Sequence, residues 1–520
     1  MPGFFLARIR KFSLKIIARV KLDPSERLYV TMFNAWLQST EVPEKPTKTQ
    51  SVLFQIPVDY YYACLFLSAK LNFRKTKAVN FFGLWHYNIV LTPRDENFQI
   101  LRRWGRHLFN LLDRLKWTKI HDIPKFEETF SLAVGFFDRL RNWATAYTLW
   151  KSLISKQDVL NINHKGTYCG DLIYDTYLRY RVQPTVDIDD PYLCYVIRQC
   201  LNAQTASRNF FNRHGIDVFI SSYASYVQHG IPIREALQQG IYVYTAGSFS
   251  QYFKKLSLTD TTHTPAHWLY REMFSEIPDK NKARAAAKTE LERRFNGSLD
   301  RATAFMKGSA FAANDIAMPQ GIDGVLFLHD FFDNPHCYRD LLFEDFWEWT
   351  VFTIEVIRRH KLNIAVKPHP NQLPESIMVV TALKNLFPDI HWLDTRISNG
   401  TIFKSGIRCG ISVFGTVLHE LAYHGIPALA AGDHPHIAFD IAITPKTRDE
   451  YEQCLINYKM LTLPDNAKEQ VLNFYYMHII HNKEEPDISI DDYDFRKIAR
   501  QNVSLSLEKF ATECSVYSTS

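Results

Sequence analysis

An alternation of short apolar runs with amphipathic stretches in the C-terminal half most constrains the fold of this 520-residue chain. In order, the predicted elements are strand 325–328, helix 344–360, strand 362–366, helix 376–386, strand 407–411, helix 416–424 and strand 428–431. Regular strand–helix alternation is typical of βαβ units, whose strands form a parallel sheet with helices packed on its faces. The C-terminal half therefore predicts a Rossmann-like domain.

The N-terminal half contains a second α/β pattern. Its predicted elements are strand 51–56, helix 58–71, strand 78–82, a long helical stretch over 97–156 broken near Pro124, strand 217–220, helix 233–238 and strand 241–244. A chain of this length is too long for one ordinary core. We predict an α/β fold of two Rossmann-like domains that face each other across a cleft, with ligands bound at the carboxyl ends of the strands.

The predicted domain organisation has four parts. They are a basic amphipathic N-terminal helix (1–25), an N-terminal acceptor domain (48–300), a C-terminal donor domain (322–480) and a C-terminal tail or helix (481–520). Residues 247–323 read as polar loop with a charged helix at 282–295, which we interpret as an interdomain region.

Composition limits the partners of this chain. A net charge of +6 is mild for its size, so nucleic acid is not an expected partner. The eight cysteines form no C-x-x-C pair and no metal-finger spacing, which fits a reducing cytoplasm. No apolar run approaches the ~20 residues that a membrane-spanning helix needs.

The N-terminal segment combines apolar and basic residues at helical spacing over 4–21. Arg8 and Arg10 interrupt the apolar stretch, so the pattern is not that of a signal peptide. A basic amphipathic helix can bind an anionic membrane surface, or it can dock on the protein's own surface. Both interpretations stay open. We expect a cytoplasmic protein, with peripheral binding to the inner face of the cell membrane as the first alternative.

A K-P-H-P motif at 367–370 follows the predicted strand 362–366. Its two prolines stiffen the exit from the strand and fix where Lys367 and His369 point. A lysine and an imidazole at the carboxyl end of a parallel strand suit an anion site. The alternative is a proline-rich turn that ends a strand beside an exposed histidine.

A second motif, S-x-x-G-T-x-x-x-E at 412–420, links a strand end to a helix start. Ser412, Gly415 and Thr416 bring hydroxyls and backbone N–H groups to one point, which suits a phosphate. Glu420, one turn into the helix, is expected to bind ribose hydroxyls. Alternatively, Ser412 or Thr416 is a helix N-cap and Glu420 a surface charge.

These motifs, with Gly425-Ile426-Pro427 before a strand, give residues 324–451 a resemblance to the donor domain of GT-B glycosyltransferases. The similar enzymes are the Kdo transferases of bacterial capsule assembly and the glycerophosphotransferases of teichoic acid synthesis. The resemblance implies a CMP-, CDP- or UDP-linked donor on the C-terminal domain and an acceptor glycan on the N-terminal domain. The loop 412–416 departs from the N-S-T loop that is frequent in the capsule family.

We therefore predict a metal-independent GT-B glycosyltransferase that needs no cofactor. Its partners would be a nucleotide sugar and a bacterial capsule polysaccharide, another surface polysaccharide or a lipid-linked precursor. Lys367, His369 and the helix start at 415–416 would neutralise the charge of the leaving phosphate. One alternative is a polyol-phosphate transferase with the same donor site. Another is a glycan-binding or assembly protein without activity.

Two weaker signals concern other residues. His434, in the Asp433–His436 stretch, could border the same cleft as a further donor-binding residue. Asp187 and Asp189 form a D-x-D pattern, which binds a divalent cation in GT-A enzymes. We favour reading Asp190-Pro191 as a helix start, because acidic residues and Pro are frequent there.

An inverting transfer also needs a base for the acceptor hydroxyl. Asp171, after a glycine-punctuated loop, and His229, after the predicted strand 217–220, have suitable chemistry. Each has a structural alternative, Asp171 as an N-cap and His229 as a turn residue before Gly230. The sequence leaves the choice of base open.

Overall fold

The structure is a computed structural model that describes residues 21, 49–56, 78–85, 112, 128–221, 223–246, 253–300, 308–312, 316–370 and 372–481. The chain divides into two compact units, each assembled from separate stretches. Unit 1 takes the described residues up to Ala146 and Arg198–His263, and unit 2 takes Tyr147–Ile197 and the described residues from Thr264 onward.

The strands are numbered here in chain order. They are β1 (Thr49–Ile56), β2 (Ala78–Trp85), β3 (Glu128–Phe130), β4 (Asn163–His164), β5 (Thr167–Tyr168), β6 (Val218–Ser221), β7 (Tyr242–Ala246), β8 (Phe253–Lys255), β9 (Gly324–Phe327), β10 (Ile364–Lys367), β11 (Cys409–Ser412) and β12 (Ala428–Ala430).

The α-helices of the described residues are numbered likewise. They are α1 (Phe136–Lys151), α2 (Lys156–Leu160), α3 (Gly170–Tyr177), α4 (Pro191–Arg213), α5 (Val227–Gln238), α6 (Tyr270–Ser275), α7 (Lys280–Phe295), α8 (Phe346–Arg359), α9 (Pro374–Leu386), α10 (Asn399–Lys404), α11 (Val417–Tyr423), α12 (Arg448–Ile456) and α13 (Ala467–Tyr475). In the described part of the chain, none of them combines the length and apolar character needed to cross a bilayer.

Unit 1 contains a six-stranded sheet in the order β3-β2-β1-β6-β7-β8. Its neighbouring strands are parallel except for β7 and β8, which are antiparallel. Every residue of β6 is buried, as expected for a strand covered on both faces.

Unit 2 contains a four-stranded parallel sheet in the order β10-β9-β11-β12. One face packs against α8, α9 and α12, and the other against α10 and α11. Helices on both faces make this a doubly wound arrangement. At Gly410 a Cβ atom would lie 2.2 Å from a Leu421 methyl group, so the glycine permits α11 to pack close to β11.

The prediction of an α/β fold with two Rossmann-like sheets is confirmed, and the predicted strands lie within two residues of the observed ones at their starts. One of the predicted elements differs from the structure, and two others are untested. The predicted helical stretch 97–156 contains β3, because the short run Glu128–Phe130 pairs with β2. The predicted helix 58–71 and the break near Pro124 lie outside the described residues.

The domain boundaries also differ. Residues 147–197 and 264–300, grouped above with the N-terminal domain, belong to unit 2. The charged helix α7, interpreted as part of an interdomain region, packs against α13 and buries Leu291 and Arg294. Charge density along a helix does not reveal that one of its cations is buried in an ion pair.

Candidate functional site

Four parallel strands end at one edge of the unit 2 sheet. Lys367 ends β10, His329 follows β9 by two residues, Ser412 ends β11 and Gly432 follows β12 by two residues. The K-P-H-P and S-x-x-G-T motifs therefore lie at the same carboxyl edge. In this fold class ligands bind at that edge.

Lys367 is the most unusual residue of this edge. It is only 2% exposed, and no hydrogen bond or ion pair joins its Nζ to another residue of the described chain. Burial lowers the pKa of Lys367 to about 8, against the attraction of Glu420 and Asp394. Since side chains alternate along a strand, Lys367 shares its face with Ala365, which packs in the core beside α11. Lys367 is thus a buried residue whose ammonium has no direct partner within the described chain.

His369 lies two residues beyond Lys367 and is partly exposed. Its ring centroid is 6.2 Å from that of His329, which itself packs on Phe346 at 4.8 Å and on Phe414 at 4.9 Å. Two imidazoles from neighbouring strands β9 and β10 therefore stand at the sheet edge. His329 was not identified from the sequence.

The loop from β11 to α11 is fixed by contacts of its small and polar residues. Ser412 Oγ donates to the Phe327 carbonyl at 3.3 Å, joining β11 to β9. A Cβ on Gly415 would come within 3.0 Å of that hydroxyl oxygen, so a larger residue would crowd the turn. Thr416 precedes α11, but its side chain makes no capping hydrogen bond. Thr416 thus occupies the N-cap position of α11 without capping the helix through its side chain, whereas Ser412 ends β11.

Glu420 lies in a buried ion pair with Arg294 of α7. Arg294 donates to Glu420 Oε1 through Nη2 at 2.5 Å and Nε at 3.0 Å, and to Thr416 Oγ1 at 3.2 Å. Asn399 donates to the other carboxylate oxygen at 3.2 Å, and Asp300 pairs with Arg294 at 2.9 Å. Both oxygens of Glu420 are engaged inside the protein. The expectation that Glu420 holds a ribose is therefore corrected: Glu420 orients Arg294 beneath the loop.

His434 is completely buried beyond β12. Its Nε2 contacts Thr444 Oγ1 at 2.9 Å, and its Nδ1 accepts the backbone N–H of His436 at 3.1 Å. Burial, with the charges of His267 and Lys446, lowers the pKa of His434 to about 3. The expectation that His434 borders the cleft as a donor-binding residue is corrected, because it is a neutral histidine of the interior.

Asp171 lies in the first turn of α3, where its Oδ1 accepts the N–H of Leu172 at 2.8 Å. One turn later, buried Asp175 contacts His336 Nδ1 at 2.5 Å. His336 is on the loop that follows β9. Its Nε2 is buried without a hydrogen-bond partner in the described part of the chain. Asp171 therefore belongs to the unit of Lys367, beside an Asp–His pair that the sequence did not suggest.

His229 belongs to unit 1, in the first turn of α5. Its Nδ1 is 2.8 Å from Nε2 of Gln55, whose Oε1 accepts a short hydrogen bond from Ser221 Oγ. Gln55 and Ser221 stand at the carboxyl ends of the adjacent strands β1 and β6. His229 therefore lies at the carboxyl edge of its sheet, and its role as a base stays a prediction.

The D-x-D residues are exposed, and Asp187 Oδ1 accepts the N–H of Asp189 at 3.0 Å. Asp190 Oδ1 accepts the N–H of Tyr192 at 2.9 Å, at the start of α4. The prediction that Asp190-Pro191 begins a helix is confirmed. Among the described residues, no three His, Cys, Asp or Glu side chains form a metal-binding group.

Comparison with known proteins finds no matching family model and no match among curated proteins. Among solved structures, a UDP-GlcNAc 2-epimerase from Neisseria meningitidis bound to UDP-GlcNAc is 12% identical, with 90% of this chain and 98% of that chain covered and a TM-score of 0.22. The Methanocaldococcus jannaschii UDP-GlcNAc 2-epimerase with UDP-GlcNAc and UDP is 9% identical over 82% of this chain and 97% of that one, with a TM-score of 0.25.

A UGT transferase from Siraitia grosvenorii in complex with UDP is 10% identical over 89% of this chain and 99% of that chain, with a TM-score of 0.24. Superpositions this weak carry no argument about function. The α/β class rests on the two sheets described above, and any function must be argued from the site itself.

Proposed function

We propose that this protein is a metal-independent GT-B glycosyltransferase whose nucleotide-activated donor binds at the carboxyl edge of the unit 2 sheet. The donor would be linked to CMP, CDP or UDP, and the acceptor would be a bacterial capsule or other surface polysaccharide. One observation carries the proposal: the side chain of Lys367 is buried, and its ammonium has no direct partner among the described residues.

A buried charge without a partner destabilises a folded protein by several kcal/mol unless a bound group compensates it. The nearby buried carboxylate of Glu420 does not supply that group, because its two oxygens accept hydrogen bonds from Arg294 and Asn399. Among the described residues, Lys367 is left with the long-range attraction of Glu420 and Asp394. A phosphate at this point would give Lys367 direct hydrogen bonds.

The same position suits catalysis of sugar transfer. When the bond between the anomeric carbon and the phosphate oxygen breaks, negative charge grows on the leaving phosphate. A preorganised cation at that point stabilises the transition state, more strongly where water is excluded. Lys367 would supply that cation, and His369, two residues along the same strand exit, would add a hydrogen bond.

The resemblance of residues 324–451 to capsule and teichoic acid enzymes supports the choice of donor class. A polyol-phosphate transferase would use the same phosphate contacts, so the donor panel must contain both sugar nucleotides and CDP-glycerol. An inactive glycan-binding protein is the remaining alternative. Slow hydrolysis of a bound donor in the absence of acceptor separates an enzyme from a binder.

The test is a thermal-shift panel of CMP, CDP, UDP and GDP with their sugars and CDP-glycerol. A ligand at 100 times its dissociation constant stabilises by about 2.7 kcal/mol. Lys367→Met should abolish the shift caused by the best ligand. Lys404→Met, an equal charge change on the exposed end of α10, is the matched control and should preserve it. Equal shifts in both variants, or no shift with any nucleotide, would contradict the proposal.

A further inference from the structure

The Asp175–His336 pair is a second set of titratable side chains in unit 2, and the proposed donor contacts do not involve it. Asp175 is 4% exposed and lies 2.5 Å from His336 Nδ1. His336 Nε2 is buried and has no partner within the described chain. A buried polar atom without a hydrogen bond is uncommon in folded proteins and calls for an explanation. A ligand group that reaches Nε2 would provide one.

We propose that His336, oriented by Asp175, is the acid–base residue that accepts the proton of the acceptor hydroxyl during transfer, an inference that rests on the proposed function. A carboxylate bonded to Nδ1–H fixes the tautomer in which Nε2 carries the basic lone pair. In the step, the acceptor oxygen bonds to the anomeric carbon. The bond from that carbon to the phosphate oxygen breaks, and the phosphate leaves with the electron pair. The hydroxyl proton passes to His336 Nε2.

The pair belongs to the same sheet edge as Lys367. His336 is carried by the loop that leaves β9, the strand next to β10. Two residues further, Tyr338 packs on Phe414 of the β11–α11 loop, with ring centroids 4.8 Å apart. The ring of Tyr174 lies 5.3 Å from that of His336, and its hydroxyl donates to Asp345 at the start of α8.

The charges around the imidazole come from two helices. Asp171 and Asp175 lie one turn apart on α3, and Asp345 is the N-cap of α8. Burial alone would lower the pKa of His336, but the attraction of these three carboxylates outweighs it and raises the pKa. Burial likewise raises the pKa of Asp175, against the attraction of His336. Tyr174 and Cys337 are the other titratable neighbours, and burial raises the pKa of both.

These directions predict a bell-shaped pH dependence for kcat/KM. Activity should rise as His336 loses its proton, at a higher pH than for an ordinary histidine because its pKa is raised, and fall as Lys367 loses its proton near pH 8. Asp171, one of the two candidate bases from the sequence, would then act on the reaction through its effect on the pKa of His336. Asp175 would be a positioning residue.

The experiment measures pH profiles of donor turnover for the full chain and for His336→Gln, Asp175→Asn and a control, His360→Gln, at the exposed end of α8. His336→Gln should lower kcat by roughly 10²–10⁴ and remove the rising limb. Asp175→Asn should move that limb to lower pH by about one unit or more, because it removes a neighbouring negative charge. The control should match the wild type.

Nucleotide binding separates this inference from the proposed function. UDP, or whichever nucleotide binds best, should bind His336→Gln within about threefold of wild type, which also shows that the variant is folded. If the rising limb of the pH profile is unchanged in His336→Gln, the role of His336 is overturned and the transferase proposal still stands. If His336→Gln does not fold, an unchanged rising limb in Asp175→Asn has the same consequence. If the wild type bound no nucleotide, or if Lys367→Met bound nucleotide as well as the wild type does, both proposals would be overturned.

Discussion

Lys367 and Glu420 lie on the same side of the unit 2 sheet and come from the two motifs that stand out in the sequence, yet their surroundings are opposite. Lys367 is a buried cation with no direct partner in the described chain. Glu420 is a buried anion with both oxygens bonded. A charged group that already has its partners maintains the fold, whereas one that lacks them is available for a ligand. Glu420 is therefore part of the structural scaffold, and ligand binding is the role that we propose for Lys367.

The largest change in stability is expected on substitution of Glu420. Glu420→Ala leaves Arg294 and Asn399 without their acceptor in the interior, and should lower the free energy of unfolding by about 3–5 kcal/mol. Urea denaturation measures this loss. Glu355→Ala, on the exposed face of α8, is the control and should change stability by about 0.5 kcal/mol or less. Equal free energies of unfolding of both variants would show that Glu420 does not maintain the fold.

A double substitution sharpens this result. Arg294→Met combined with Glu420→Met removes both charges together and should regain part of the loss seen with Glu420→Ala. Replacing a buried ion pair by apolar residues is often close to neutral, whereas removing one partner is not. Asp300 also pairs with Arg294, so the recovery should be partial, and Asp300→Asn in the same background should increase it.

Substitution of Lys367 is expected to increase stability rather than decrease it. Lys367→Met removes an unpaired buried charge and should raise the free energy of unfolding at pH 7 by about 1–3 kcal/mol, since each unit of pKa depression corresponds to about 1.4 kcal/mol. The same substitution should abolish nucleotide binding. Increased stability with lost binding is the mark of a binding residue. A clear decrease in the free energy of unfolding would instead show that Lys367, like Glu420, maintains the fold.

The pH dependence of stability gives a third test, on the wild type without ligand. The pKa of Lys367 is about 8 in the folded protein and about 10.4 when unfolded, so the unfolded chain binds more protons between these values. Stability contributed by this group should therefore rise as pH increases from about 8 to 10. Comparison with Lys367→Met isolates the contribution, which should be absent in the variant. Identical slopes would contradict a buried, unpaired lysine.

A smaller effect is expected at His434, which the sequence analysis placed with the donor residues. Its folded pKa is about 3, so the unfolded chain takes up the proton first as pH falls. Stability should be lost progressively from about pH 6.5 downward, and His434→Asn should flatten that loss. Nucleotide affinity in the variant should match the wild type at pH 7. A tenfold or greater loss of affinity there would restore His434 to the site.

The sequence predicted most of the second sheet because its strands and helices are local patterns. It also placed Lys367 and Ser412 correctly at strand ends. It could not predict the partner of Glu420, since Arg294 lies 126 positions away on a helix that reads as a solvated surface. It missed His336 for the same reason, because Asp175 is 161 positions away. Periodicity and motif spacing indicate where a residue lies along a strand or helix, whereas the partner of a buried side chain depends on the tertiary fold.

Proton uptake on nucleotide binding tests the central claim most directly. At pH 8.5 most of Lys367 is neutral in the free protein, and a bound phosphate should restore its proton. Calorimetric titration in two buffers of different ionisation enthalpy should show uptake of up to about 0.7 protons per bound nucleotide in the wild type and in Lys404→Met. It should show neither uptake nor binding in Lys367→Met. Binding without uptake in the wild type, or unchanged binding in Lys367→Met, would contradict the assignment of Lys367 as the phosphate-binding residue.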